Sequence, residues 1–68
     1  MVQLTDFGRT VKYALIDKGM SQKELATQIA GKTGLFCDHG YVYKILTGRR
    51  YAPKIVAAIR EILDIPAA

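Results

Sequence analysis

Apolar positions recur with a helical period along most of the chain. Phe7, Val11, Ala14 and Leu15 fall at i, i+4, i+7 and i+8, which is one helix face. Thr5 is placed to cap that helix, Asp6 puts a negative charge in its first turn, and Gly19 supplies a stop. This spacing predicts a helix over residues 6–18. Ser21-Gln22-Lys23-Glu24 then reads as a capping box, with the Ser21 hydroxyl accepting the Glu24 N–H and the Glu24 carboxylate reaching back to the Ser21 N–H. Met20 and Leu25 flank the box as a hydrophobic staple. Leu25, Ala26 and Ile29 continue as a stripe, which predicts a second helix over about residues 22–30, ended by Gly31.

The segment Gly31 to Cys37 carries two glycines and reads as a loop, with Leu35 and Phe36 expected to tuck into the core. Asp38 is a second N-cap candidate. Behind it Val42, Ile45 and Leu46 form the next stripe, and Gly48 ends the helix. Arg49-Arg50-Tyr51-Ala52 is a basic connector. Pro53 suits the first position of a fourth helix, where its missing N–H costs nothing. Ile55, Val56, Ile59, Ile62 and Leu63 repeat at helical spacing, most simply as core; the alternative is that the stripe, with Ile65 beyond it, leaves a surplus face for a dimer. There is no strand alternation, repeat or low-complexity segment. The expected fold is all-α: one compact four-helix domain over residues 1–68.

Composition narrows the function. A chain of 68 residues buries only roughly 60% of its unfolded surface, leaving little room for a deep, walled active site. The net charge is +4. From Lys44 to Lys54 there are four basic residues (Lys44, Arg49, Arg50, Lys54) and no acidic one. A basic segment of this kind suits a phosphate-bearing partner. The single cysteine, Cys37, excludes an internal disulfide, so the expected location is the reducing cytoplasm. Asp6, Arg9, Lys12, Asp17 and Lys18 interrupt any signal-peptide core, and no apolar run approaches a membrane span.

The informative unit is the second helix, the turn and the third helix. A helix that enters a major groove needs a packed back and a polar front. The third helix has both: Val42, Ile45 and Leu46 behind, with His39, Gly40, Tyr41, Tyr43 and Lys44 on its other faces. At these residues the chain resembles the lambda-repressor-like helix-turn-helix family, also termed the XRE or Cro/CI type. The likeness rests on Met20-Ser21-Gln22-Lys23-Glu24-Leu25-Ala26, on Val42 through Ile45 to Thr47-Gly48-Arg49-Arg50, and on Pro53 leading a further helix. It spans about residues 4–65. The resemblance implies a sequence-specific binder of double-stranded DNA, a small phage- or mobile-element-type transcriptional regulator, with repression the favoured direction. It implies base contacts from His39, Gly40, Tyr41, Tyr43 and Lys44. Phosphate contacts are expected from Ser21, Gln22, Lys23, Arg49, Arg50 and Lys54. Two departures stand out. Ala30 occupies the place where the family commonly closes its second helix with glycine, and the connection from Gly31 to Cys37 is longer than the family's usual turn. The fifth helix through which members often dimerise has no counterpart.

Each of these residues has a plainer role available. Lys44 can be a solvated lysine, Tyr41 or Tyr43 can pack over the turn, and Arg49 with Arg50 can be an ordinary basic loop. Cys37 and His39 lack the further ligands a zinc site needs, so no metal or other cofactor is expected. Gly31-Lys32-Thr33 echoes a phosphate-binding loop, but Ala26 stands where that motif needs glycine. No nucleophile–base pair is present, so neither an enzyme nor a small-molecule substrate is expected. The expected partners are double-stranded DNA and, on a two-fold site, a second copy of the chain. The alternative is an antitoxin-like protein-interaction module on the same fold.

Overall fold

The computed structural model describes residues 3–66 and consists of four helices: α1 (Asp6–Lys18), α2 (Gln22–Thr33), α3 (His39–Leu46) and α4 (Pro53–Leu63). No strand occurs among the described residues. Three of the helices start on a side-chain cap. Thr5 Oγ1 accepts the Gly8 N–H at 3.0 Å, Ser21 Oγ accepts the Glu24 N–H at 3.0 Å, and Asp38 Oδ1 accepts the Tyr41 N–H at 2.8 Å. The return bond of the box, Ser21 N–H to Glu24 Oε1, is 3.4 Å long. α4 has no side-chain cap and begins on Pro53.

The end of α2 corrects the sequence-based expectation. Gly31 lies inside the helix, which continues to Thr33 and closes at Gly34 in the left-handed conformation (φ 70°), with the Gly34 N–H on the Ala30 carbonyl. An interior glycine costs only about 1 kcal/mol. One local and one distant bond hold the extra turn: Thr33 Oγ1 donates to the Ile29 carbonyl at 2.8 Å, and Lys32 reaches Glu61 of α4 at 2.9 Å. The connection to α3 is therefore Gly34 to Asp38 rather than Gly31 to Cys37. Leu35 and Phe36 do not enter the core either, being 45% and 78% exposed. The shortened connection leaves them at its apex, and only Cys37 turns inward.

The core is built from one stripe per helix: Val11 and Leu15; Leu25, Ala26 and Ile29; Val42, Ile45 and Leu46; Ile55, Ala58, Ile59 and Leu63. No polar or charged side chain is buried with them among the described residues. α2 makes its most extensive contact with α4. Val56, Ile62 and Ile65 are half-buried against the same core, so α4 presents no large, fully exposed apolar side chain. The Cα radius of gyration is 10.8 Å, matching the value of about 11 Å expected for a compact chain of this length.

One junction sets the position of α3. The Leu46 carbonyl lies in the last turn of α3, where carbonyls lack a partner within the helix. Thr5 supplies two donors to it, its N–H and its hydroxyl, each at 3.0 Å. The same hydroxyl accepts the Gly8 N–H, so one side chain joins the start of α1 to the end of α3. Gly8 lets the helices meet: a Cβ there would collide with the Leu46 carbonyl oxygen.

Candidate nucleic-acid interface

α3 is eight residues long, and successive residues turn by about 100°. Val42, Ile45 and Leu46 point into the core, so the opposite direction belongs to Gly40, Tyr43, Lys44 and, just past the helix, Thr47. Gly40 and Lys44 are exposed, and Tyr43 is 41% exposed. His39 is exposed at the start of the helix. Tyr41 is half-buried at the flank, with the Arg50 guanidinium 5.5 Å from its ring centroid. Sequence reasoning places Thr47 in the family resemblance but gives it no contact. It follows the Ile45-Leu46 core pair, and its hydroxyl donates back to the Tyr43 carbonyl at 2.9 Å.

The start of α2 is tied to the start of α3 by Gln22. Its Nε2 donates to the His39 carbonyl at 3.0 Å, while its Oε1 accepts from Lys12 Nζ at 2.7 Å. A side-chain amide has two N–H donors, so one remains for an outside acceptor. Lys12 is a second residue to which sequence reasoning gives no contact. Nothing in its place on α1 signals a role, and only the tertiary contact brings its ammonium beside Gln22. Ser21 and Lys23 are exposed on either side of Gln22.

The connector after α3 is folded back on that helix. Gly48 adopts φ 79°, and the N–H groups of Arg49 and Arg50 both reach the Lys44 carbonyl, at 2.8 and 3.2 Å. This brings Arg49 and Arg50 to the end of α3. Lys54 follows in the first turn of α4, beside an open apolar groove walled by Leu35, Phe36, Tyr41 and Tyr51. Tyr51 is 85% exposed.

Charge is sorted across the molecule. Arg9 pairs with Asp6 at 3.2 Å, Lys18 with Asp64 at 3.9 Å and Lys32 with Glu61 at 2.9 Å. Arg60 covers the Phe7 ring and donates to the Pro66 carbonyl at 2.8 Å. The other six of the ten cationic residues are Lys12, Lys23, Lys44, Arg49, Arg50 and Lys54, and they form no ion pair among the described residues. They sit beside the Gln22 bridge, on α3 and along its connector. Glu24 and Asp38 accept backbone N–H groups at helix starts and pair with none of these cations.

Cys37 is buried at the edge of the core, and both its burial and the nearby Asp38 charge push its thiol above its ordinary pKa. It is therefore a protonated, unreactive thiol at neutral pH. No group of three or more His, Cys, Asp or Glu that could hold a metal occurs among the described residues. No helix of the described chain is long and apolar enough to cross a membrane.

Comparison with protein-family models, with curated proteins and with solved structures finds no match for this chain.

Proposed function

We propose that this chain binds duplex DNA in a sequence-specific manner, with α2 and α3 acting as a helix-turn-helix and α3 entering the major groove. The observation that carries the reading is the sorting of charge. Six cations without carboxylate partners lie on α3, along its connector and beside the Gln22 bridge, whereas three of the four cations elsewhere pair with carboxylates and the fourth, Arg60, covers the Phe7 ring. Phosphate contacts supply most of the affinity of such proteins, and base edges supply the choice of site. In this reading Lys44 donates to guanine O6 and N7. His39, Tyr43 and the bare backbone at Gly40 approach neighbouring bases. Tyr41 holds Arg50 in place beneath a phosphate. Arg49, Lys54, Ser21, Gln22 and Lys23 follow the backbone, and Lys12 joins them through Gln22. A small transcriptional regulator, more naturally a repressor than an activator, is the role that follows from a binding domain of this kind.

Selection from a random-duplex library, followed by a salt series on the recovered site, tests this. The expected result is an enriched motif. If each chain neutralises about four phosphates, affinity falls on the order of 100-fold between 50 and 200 mM salt. Weak binding without an enriched motif would refute it.

The apolar groove at Leu35, Phe36, Tyr41 and Tyr51 favours one other reading, a protein-interaction module. A partner that co-purifies and survives high salt would support that reading instead.

A further inference from the structure

We infer that Phe36, in the connection between α2 and α3, reads the 5-methyl group of a thymine beside the base contacted by Lys44; this rests on the DNA-binding reading above. Phe36 is 78% exposed, although nothing in a five-residue connection demands a large apolar side chain. Its place is specific. Phe36 forms one wall of a shallow depression whose other sides are Gly40, Lys44, Tyr41, Asp38 and Arg50. Gly40 and Lys44 belong to the outer face of α3, so the ring stands at the edge of the surface proposed to enter the groove.

The chemistry of that depression is mixed in a particular way. Lys44 and Arg50 bring positive charge. One oxygen of the Asp38 carboxylate accepts the Tyr41 N–H at 2.8 Å, and its single negative charge leaves the two cations in excess. Gly40 puts no side chain into the depression, and a Cβ there would meet only Asp38 Oδ1, at 3.5 Å. An apolar wall beside cationic donors fits a base step that pairs an apolar projection with acceptors. In the major groove the thymine 5-methyl is the apolar projection, and guanine O6 and N7 are the acceptors. A thymine adjacent to a guanine presents both at once.

Replacing thymine by deoxyuridine removes the methyl group alone and keeps every hydrogen-bonding group, so it isolates this contact. The experiment takes the duplex recovered by selection, substitutes each thymine in turn by deoxyuridine, and measures binding by the intact protein and by Phe36→Ala. Because the Phe36 side chain is exposed, the variant keeps the core, and a thermal melt superimposable on the parent's verifies that. The expected result is one thymine, next to the guanine whose replacement Lys44→Ala tolerates, at which deoxyuridine weakens the parent about four-fold, the factor carried by one buried methyl. Phe36→Ala should be indifferent to the same change. Two results would overturn the inference while leaving DNA binding intact. One is that no thymine is sensitive. The other is that Phe36→Ala keeps the full sensitivity. Failure of the parent to bind any duplex would remove the DNA-binding reading itself.

Discussion

At the scale of single residues, glycines make opposite demands in this chain. Gly8 sits against the Leu46 carbonyl with no space for a Cβ, so Gly8→Ala is expected to destabilise the fold by about 1–3 kcal/mol, the usual range for overpacking. Gly31 lies inside α2 with open space around it, so Gly31→Ala should stabilise by about 0.5–1 kcal/mol. For a chain this small that raises the melting temperature by about 2–8 °C, measurable by circular dichroism. The sequence shows both residues as glycine and does not say which one is crowded. Whether Gly31 or Gly34 ends α2 was equally hidden, because the bonds that carry α2 past Gly31 include Lys32 to Glu61, a contact between distant segments. Cys37 supplies a second residue-scale prediction. Its thiol should react slowly with Ellman's reagent in the native protein and quickly in denaturant. The raised thiol pKa also has a consequence for stability. The folded state holds this proton more tightly than the unfolded chain, so its contribution is complete below the unfolded thiol's pKa. It is lost as pH rises through the folded value. Alkaline denaturation of Cys37→Ala should lack that component.

At the scale of elements, the starts of the helices were readable because caps are local chemistry. Thr5, the Ser21–Glu24 box and Asp38 each bind a backbone N–H within three residues, and Pro53 acts through its own ring. The buried face of α3 was readable for the same reason, from the spacing of Val42, Ile45 and Leu46. Leu35 and Phe36 were misread because hydropathy favours the interior, whereas the length of a connection decides what can reach it. Lys12 had no visible role until the helices were assembled, since its place depends on Gln22, ten residues away; Thr47 was visible in the resemblance but not as part of the outer face left after α3 packs. The elements also divide the work proposed for the interface. Lys44→Ala, on the outer face of α3, should relax base preference at one position. Arg49→Ala, on the connector, should weaken all sequences alike and lower the slope of log affinity against log salt by about one. A salt titration of both variants separates the roles, and an unchanged slope for Arg49→Ala would rule out its phosphate contact.

At the scale of the whole molecule, the proposed insertion of one eight-residue helix into a groove would give limited affinity, and a pair of chains on a two-fold site would double the contact. The prediction is two chains per recovered site, with half-sites about 10–10.5 base pairs apart, readable by sedimentation of the protein–duplex complex. The fold was legible at this scale because four apolar stripes must meet and a helical period permits few other arrangements; the surface for a second chain is not marked in the same way. Tyr13 and Ile16 lie exposed on α1, whereas the apolar side chains of α4 are drawn against the core. Within the domain, the bond from the Thr5 N–H to the Leu46 carbonyl spans 41 residues of sequence. That amide proton precedes the first helix, where protons normally trade with solvent freely. Here it is held by a carbonyl of α3, so opening of the junction between the start of α1 and the end of α3 exposes it. Its exchange lifetime in heavy water therefore serves as a built-in gauge of how firmly α3 is seated. A duplex that grips α3 should lengthen that lifetime without touching Thr5.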